Sequence, residues 1–214
     1  KNISSKEVPI KSSPDMIQTS IPKLDGLLGG GIKKGSLSCI WAKQSAEGSE
    51  DDFTYQIADA GSKSGKVFYI TNEKTPDIVS NEIKGLGFKG KINFIDATGK
   101  GSGKLIINPN DSDEIIKDLE IIVKKIKDPV IIIDSLSMLM QTTGQNTDLL
   151  QRFKDLNATI VCLLKEEVSQ SKFFKVIEDV CDNIIKVNAV KDGVFIREYF
   201  FVEKSKGSKA DGKG

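Results

Sequence analysis

Apolar residues fall along this chain in two alternating rhythms. Short unbroken runs, Leu37–Ala42, Val67–Thr71, Ile92–Ile95, Val130–Ile133, Thr159–Leu164 and Asn183–Val187, read as strands buried on both faces. Between them Phe53–Lys63, Pro76–Leu86, Asp113–Lys127 and Thr147–Leu156 have helical length and an amphipathic pattern. In Asp113–Lys127 the residues Ile115, Ile116, Leu119, Ile122, Val123 and Ile126 recur at three- and four-residue spacing, so one face packs on a sheet. The alternation predicts an α/β fold in three layers, a mostly parallel central sheet with helices on both faces. The end of the chain changes character. Asn183–Val190 and Val194–Val202 flank Lys191-Asp192-Gly193, which predicts an antiparallel hairpin added to the edge of that sheet. One domain over residues 16–202 is expected, with flexible segments at 1–15 and at the Lys- and Gly-rich 203–214.

Composition narrows the functional classes. Thirty-one basic residues against thirty acidic give a net charge of +1, so no global field favours nucleic acid or membrane. No apolar run reaches the roughly 20 residues that span a bilayer, and the first residues show no signal-peptide segment, so a cytoplasmic protein is expected. Cys39, Cys162 and Cys181 lie in or beside apolar runs without CxxC spacing and read as reduced core residues. The chain has no histidine, which excludes ordinary His-dependent hydrolase chemistry and the usual zinc sites.

The connection from the first long strand to its helix carries the most informative chemistry. A strand, a Gly-rich turn and a helix N-terminus normally cradle phosphates, with a lysine on the phosphates and a Ser or Thr on magnesium. Here the connection is Lys43–Asp52, KQSAEGSEDD. Counted back from the helix, Glu50 falls at the lysine position and Asp51 at the Ser/Thr position, with Glu47, Gly48, Ser49 and Asp52 completing the loop. A charge pair at about 4 Å in an effective dielectric near 20 is worth roughly 4 kcal/mol before screening, so several acids facing a triphosphate cost orders of magnitude in affinity. The same acids suit the first turn of the following helix, where they offset its dipole. A cation held by Glu47, Glu50, Asp51 and Asp134 is the alternative use of such oxygens. A second glycine string, Thr98–Lys104 (TGKGSGK), lacks phosphate-loop spacing and reads as a flexible loop.

Thr19–Gly35, TSIPKLDGLLGGGIKKG, runs directly into the first long strand. Its serine, proline and leucines suit a short helix, and its glycine triplet breaks it. The string resembles the segment that precedes the phosphate loop in KaiC-like proteins of the RecA superfamily, archaeal members included. Four further stretches match in order: Val67–Asp77 (VFYITNEKTPD), Asn93–Asp96 with Ile107–Asp111, Val130–Ser137 (VIIIDSLS, similar to Walker B) and Val202–Gly207 (VEKSKG). The resemblance implies a RecA-like three-layer fold with ATP held between neighbouring subunits of a ring. It implies that Asp134 orients magnesium and water, and that Glu73 is the first of two water-activating glutamates. The second of those positions is Lys74. Lys204 and Lys206 match in part a C-terminal lysine motif that reaches a neighbour's nucleotide.

Together these readings predict a RecA/KaiC-like pseudo-ATPase. It has no confident catalytic residue, ATP and magnesium are disfavoured, no metal is expected, and its role is structural or regulatory within an assembly of like subunits. Glu73 and Asp134 are its vestigial candidates and Lys204 and Lys206 its interface candidates. The alternatives are a divergent ATPase that binds weakly or at a shared interface, and a DNA- or RNA-binding module using loops around Met138–Asn146. That stretch has no aromatics and few cations, which does not favour nucleic acid.

Overall fold

The computed structural model describes residues 13–43, 49–101, 104–144, 147–166, 171–192 and 195–206. Two short strands, β1 (Met16–Ile17) and β2 (Ile32–Lys33), pair antiparallel around helix α1 (Pro22–Leu27). The glycine triplet between α1 and β2 has a steric reason. Gly31 has φ of +129°, and a Cβ there would meet the Ile17 carbonyl oxygen at 2.4 Å.

The main sheet contains β3 (Leu37–Ala42), β4 (Val67–Thr71), β5 (Ile92–Asp96), β6 (Val130–Asp134), β7 (Thr159–Lys165), β8 (Asn183–Asp192) and β9 (Phe195–Lys204). Its order is β5-β4-β6-β7-β3-β8-β9, parallel throughout except for the β8–β9 hairpin. Helices α2 (Ser49–Ser62) and α3 (Pro76–Gly85) join α1 on one face, and α4 (Ser112–Lys125), α5 (Leu136–Thr142), α6 (Asp148–Asp155) and α7 (Ser171–Val180) cover the other. Successive strand residues feed opposite cores. Val130 and Ile132 pack toward α2, Ile131 and Ile133 toward α4 and α5. This explains why the strands read as continuous apolar runs. Cys39 and Cys162 are register partners on β3 and β7, and with Cys181 they are buried and free, as expected.

Four elements differ from expectation. Helix α2 begins at Ser49, ahead of the expected Phe53, and takes Glu50, Asp51 and Asp52 into its first turn, where their charges suit its dipole as expected. The stretch around Met138, read as a loop, lies largely in α5, which buries Leu136, Leu139 and Met140. Its start is fixed by Ser135, whose side chain accepts from the Met138 N–H at 3.2 Å. Helix α7 is absent from the expected set, although Phe173, Phe174, Val176, Ile177 and Val180 recur on it at helical spacing and pack on the core. Strand β9 runs to Lys204, two residues into the expected tail.

Candidate functional site

The C-terminal ends of β4, β6 and β7 converge beside the first turn of α2, where open parallel sheets place their ligands. Asp134 ends β6 and is buried. Its Oδ2 accepts a hydrogen bond from the Tyr69 hydroxyl at 2.5 Å, and Tyr69 shares a second hydrogen bond with Thr54 of α2 at 2.8 Å. Burial, aided by the nearby Asp51 charge, pushes the Asp134 carboxyl up to about 7 against the pull of Tyr69 and Lys165. Asp134 does not cap α5; the following residue, Ser135, does.

Asp51 is 6% exposed and held by cations from two other elements. Lys74, in the turn after β4, reaches its Oδ2 at 3.0 Å, and Lys165, at the end of β7, lies 3.4 Å from its Oδ1. Lys74 also binds Glu82 of α3 at 2.8 Å, and Glu82 accepts from the Tyr55 hydroxyl at 2.6 Å. Lys165 binds Glu73 at 2.7 Å, and Glu73 accepts from the Ser135 hydroxyl. Asn72 completes the frame by exchanging hydrogen bonds with the Ser135 backbone, at 2.6 and 2.8 Å. Burial opposes the charge on both lysines, yet their carboxylate partners outweigh it and hold both pKa values above the ordinary lysine value. Burial and Glu82 likewise raise the Tyr55 phenol.

The structure thus brings Asp51, Glu73 and Asp134 into one network. It places Asp52 on the exposed side of α2, Ser49 and Glu50 at the helix start with side chains outside the described residues, and Glu47 and Gly48 outside them altogether. Sequence reasoning missed Lys165, Tyr69 and Glu82 as members. Lys165 left a signal, a lysine closing an otherwise apolar strand, whereas Tyr69 is indistinguishable from core until its hydroxyl partner is known. Among the described residues no cluster of three or more acids or cysteines is arranged to hold a metal.

Lys204 and Lys206 lie at the opposite edge of the sheet. Lys204 Nζ donates to the Glu178 carbonyl at 2.7 Å, and Lys206 Nζ pairs with Asp182 at 3.0 Å. Asp182 in turn accepts from the Leu37 N–H at the start of β3 and pairs with Lys154, which together keep its carboxyl below the usual range despite burial.

The family model described as "ATPase: KaiC" matches residues 17–213. The chain belongs to the KaiC ATPase family. KaiC-like folds also appear among the solved structures it resembles. The flagellar accessory protein FlaH from Methanocaldococcus jannaschii superimposes with a TM-score of 0.71 at 20% identity, covering 91% of this chain and 90% of that one. A KaiC-like protein, PH0186, from Pyrococcus horikoshii OT3 superimposes with a TM-score of 0.68 at 16% identity, covering 94% and 91%. At these identities the likeness is one of fold. No curated protein matches the sequence. Among the described residues no helix of this KaiC-family chain is long and apolar enough to cross a membrane.

Proposed function

We propose that this KaiC-family chain is a pseudo-ATPase, a cytoplasmic structural or regulatory subunit of an assembly of RecA/KaiC-like subunits. The observation that carries this reading is the pairing of Asp51 with Lys74 and Lys165. Asp51 stands, by spacing, where a metal-binding hydroxyl is expected, and Lys74 where a water-activating glutamate is expected. The two departures compensate each other, since each charge is the other's partner at 3.0 Å.

The residues present do not fit magnesium and a triphosphate. Asp51, Glu73 and Glu82 supply three carboxylates, and Asp134 a carboxyl that burial keeps partly protonated near neutral pH, against the two ammonium groups of Lys74 and Lys165, both of which are already engaged. A polyanion entering here meets net negative charge, and freeing Lys74 or Lys165 for it takes a partner from the buried Asp51. The network does in this chain what a bound ligand would otherwise do: it ties α2, the turn after β4, α3 and β7 together.

Glu73 and Asp134 both lie in the network around Asp51, which supports weak turnover as the second reading. A phosphate-release assay with magnesium and ATP separates the two. The pseudo-ATPase reading expects no release above a blank and no difference between the wild type and Asp134→Asn. Turnover abolished by Asp134→Asn overturns it.

A further inference from the structure

Acids gather where β4 and β6 end, and lysines gather where β5, β4 and β6 start. Helices α2, α3 and α4 end there, and the segments that lead from them toward the strands are Ser62–Lys66, Lys84–Lys91 and Lys124–Asp128. Together these segments hold eight lysines and one acid, Asp128, in a chain whose net charge is +1. Close backbone approaches bring them onto one face. A Cβ on Gly65 would meet the Asp128 carbonyl oxygen at 3.1 Å, and one on Gly90 would meet Ser62 Oγ at 2.6 Å. Asp59 of α2 fixes the second approach by accepting from the Lys89 and Gly90 N–H groups at 2.9 and 2.7 Å. Lys66 and Lys91 directly precede Val67 and Ile92, which are register partners, so the two lysines stand side by side. Between the Gly87–Lys91 loop and the end of α2 lies an open groove of about 430 Å³, with Asp59, Ser62, Lys63, Phe88, Lys89 and Lys91 in its walls.

Three helix C-termini at this end of the sheet carry about half a negative charge each, far less than eight lysines supply. Lys63 and Lys124 are taken up by Asp59 and Glu120, one turn earlier in their helices. Lys66, Lys84, Lys89, Lys91, Lys125 and Lys127 are exposed and have no ion-pair partner among the described residues. The surplus forms a surface of point charges without arginine or an exposed aromatic, the side chains that anchor protein contacts. We propose that this face binds a linear phosphate polymer, the backbone of a nucleic acid or inorganic polyphosphate, laid across the groove. Ammonium groups meet phosphates as point charges and touch no base edge, so binding is independent of sequence. The face lies at the far ends of the strands from Thr71 and Asp134 and is independent of the nucleotide reading.

The test is fluorescence anisotropy of the full chain with a dye-labelled, mixed-sequence single-stranded oligonucleotide and with dye-labelled polyphosphate, ATP absent. Lys66→Gln/Lys89→Gln/Lys91→Gln is compared with Lys23→Gln/Lys100→Gln/Lys117→Gln, which removes the same charge from exposed positions elsewhere. Affinity is expected to fall about tenfold or more between about 50 and 200 mM salt, as three or more phosphate contacts require. The first variant is expected to lose about tenfold and the second less than about twofold, while Lys66→Arg/Lys89→Arg/Lys91→Arg retains binding. Binding of both polymers supports the shared phosphate chemistry, and binding of one alone names the source. No binding of either, equal losses in the two Gln variants, or binding that salt does not weaken overturns the proposal. Displacement by polyglutamate as effective as by unlabelled polymer also overturns it, in favour of an acidic protein partner.

Discussion

Lys165 Nζ lies 2.7 Å from Glu73 Oε2, joining the end of β7 to the turn after β4. The same ammonium stands 3.4 Å from Asp51, so one cation serves acids from two elements. Lys165→Met removes it and leaves both acids half-buried or buried without that partner. Breaking a fully buried pair costs roughly 3–5 kcal/mol. Partial exposure of Lys165 and Glu73 brings the expected loss to about 2 kcal/mol, read from urea unfolding midpoints. Lys165→Met/Glu73→Gln is expected to lose less than the sum of its single changes, because the second removes a charge the first left unpaired.

Asp134 makes stability depend on pH with a definite sign. Its folded pKa, near 7, lies above its ordinary value of 3.8, so the folded state holds a proton that the unfolded state has released. The contribution is fully present below about pH 4 and is lost as pH rises through about 7. Asp134→Asn removes it, and each tenfold difference in proton affinity between the folded and unfolded carboxyl is worth roughly 1.4 kcal/mol. The unfolding free energy of the wild type minus that of the variant is therefore expected to fall between pH 4 and 7 and to be flat above. A difference that rises over this range contradicts the assignment.

Trp41 is the single tryptophan of the chain and reports on the hairpin side of the sheet. Phe174 stacks on it at 4.4 Å, Lys186 lies over its ring at 4.4 Å, and its Nε1–H donates to Glu166 at 3.2 Å. Phe174→Ala opens one face of the indole to water. The emission maximum is expected to move to longer wavelength in the folded state, with a stability loss of about 1–2 kcal/mol.

Asp111 caps α4 by accepting from the N–H groups of Asp113 at 2.9 Å and Glu114 at 3.1 Å. Asp111→Ala leaves those donors to water and is expected to cost about 1 kcal/mol, whereas Asp111→Ser costs less than half of that. Thermal unfolding of the three proteins checks the order.

The layered α/β fold was legible because the strands are buried on both faces and the helices on one, which writes two distinct periods into the sequence. Strands β3 and β4 match their apolar runs end to end. Helix α5 was hidden because at seven residues it is too short to show a helical period, and its start is set by Ser135. Of the candidate network, Asp51 was singled out by a charge where a hydroxyl is expected, and Glu73 and Asp134 by the resemblance of their segments to family motifs. Its other half was not, because Lys165 lies 92 residues from Glu73 in the chain and Tyr69 lies 65 from Asp134. Only the strand order β4-β6-β7 brings those residues to one edge. The glycine string at Thr98 proved partly structural, since Asp96 accepts from both the N–H and the hydroxyl of Thr98.

On the proposed reading the ion pairs of Asp51, Lys74, Lys165 and Glu73 disfavour a nucleotide at this site, and calorimetric titration of the full chain with magnesium and ATP measures this without any variant. No saturable heat is expected up to about 1 mM nucleotide, equivalent to binding weaker than roughly −4.1 kcal/mol. A micromolar isotherm that requires magnesium would contradict the closed site.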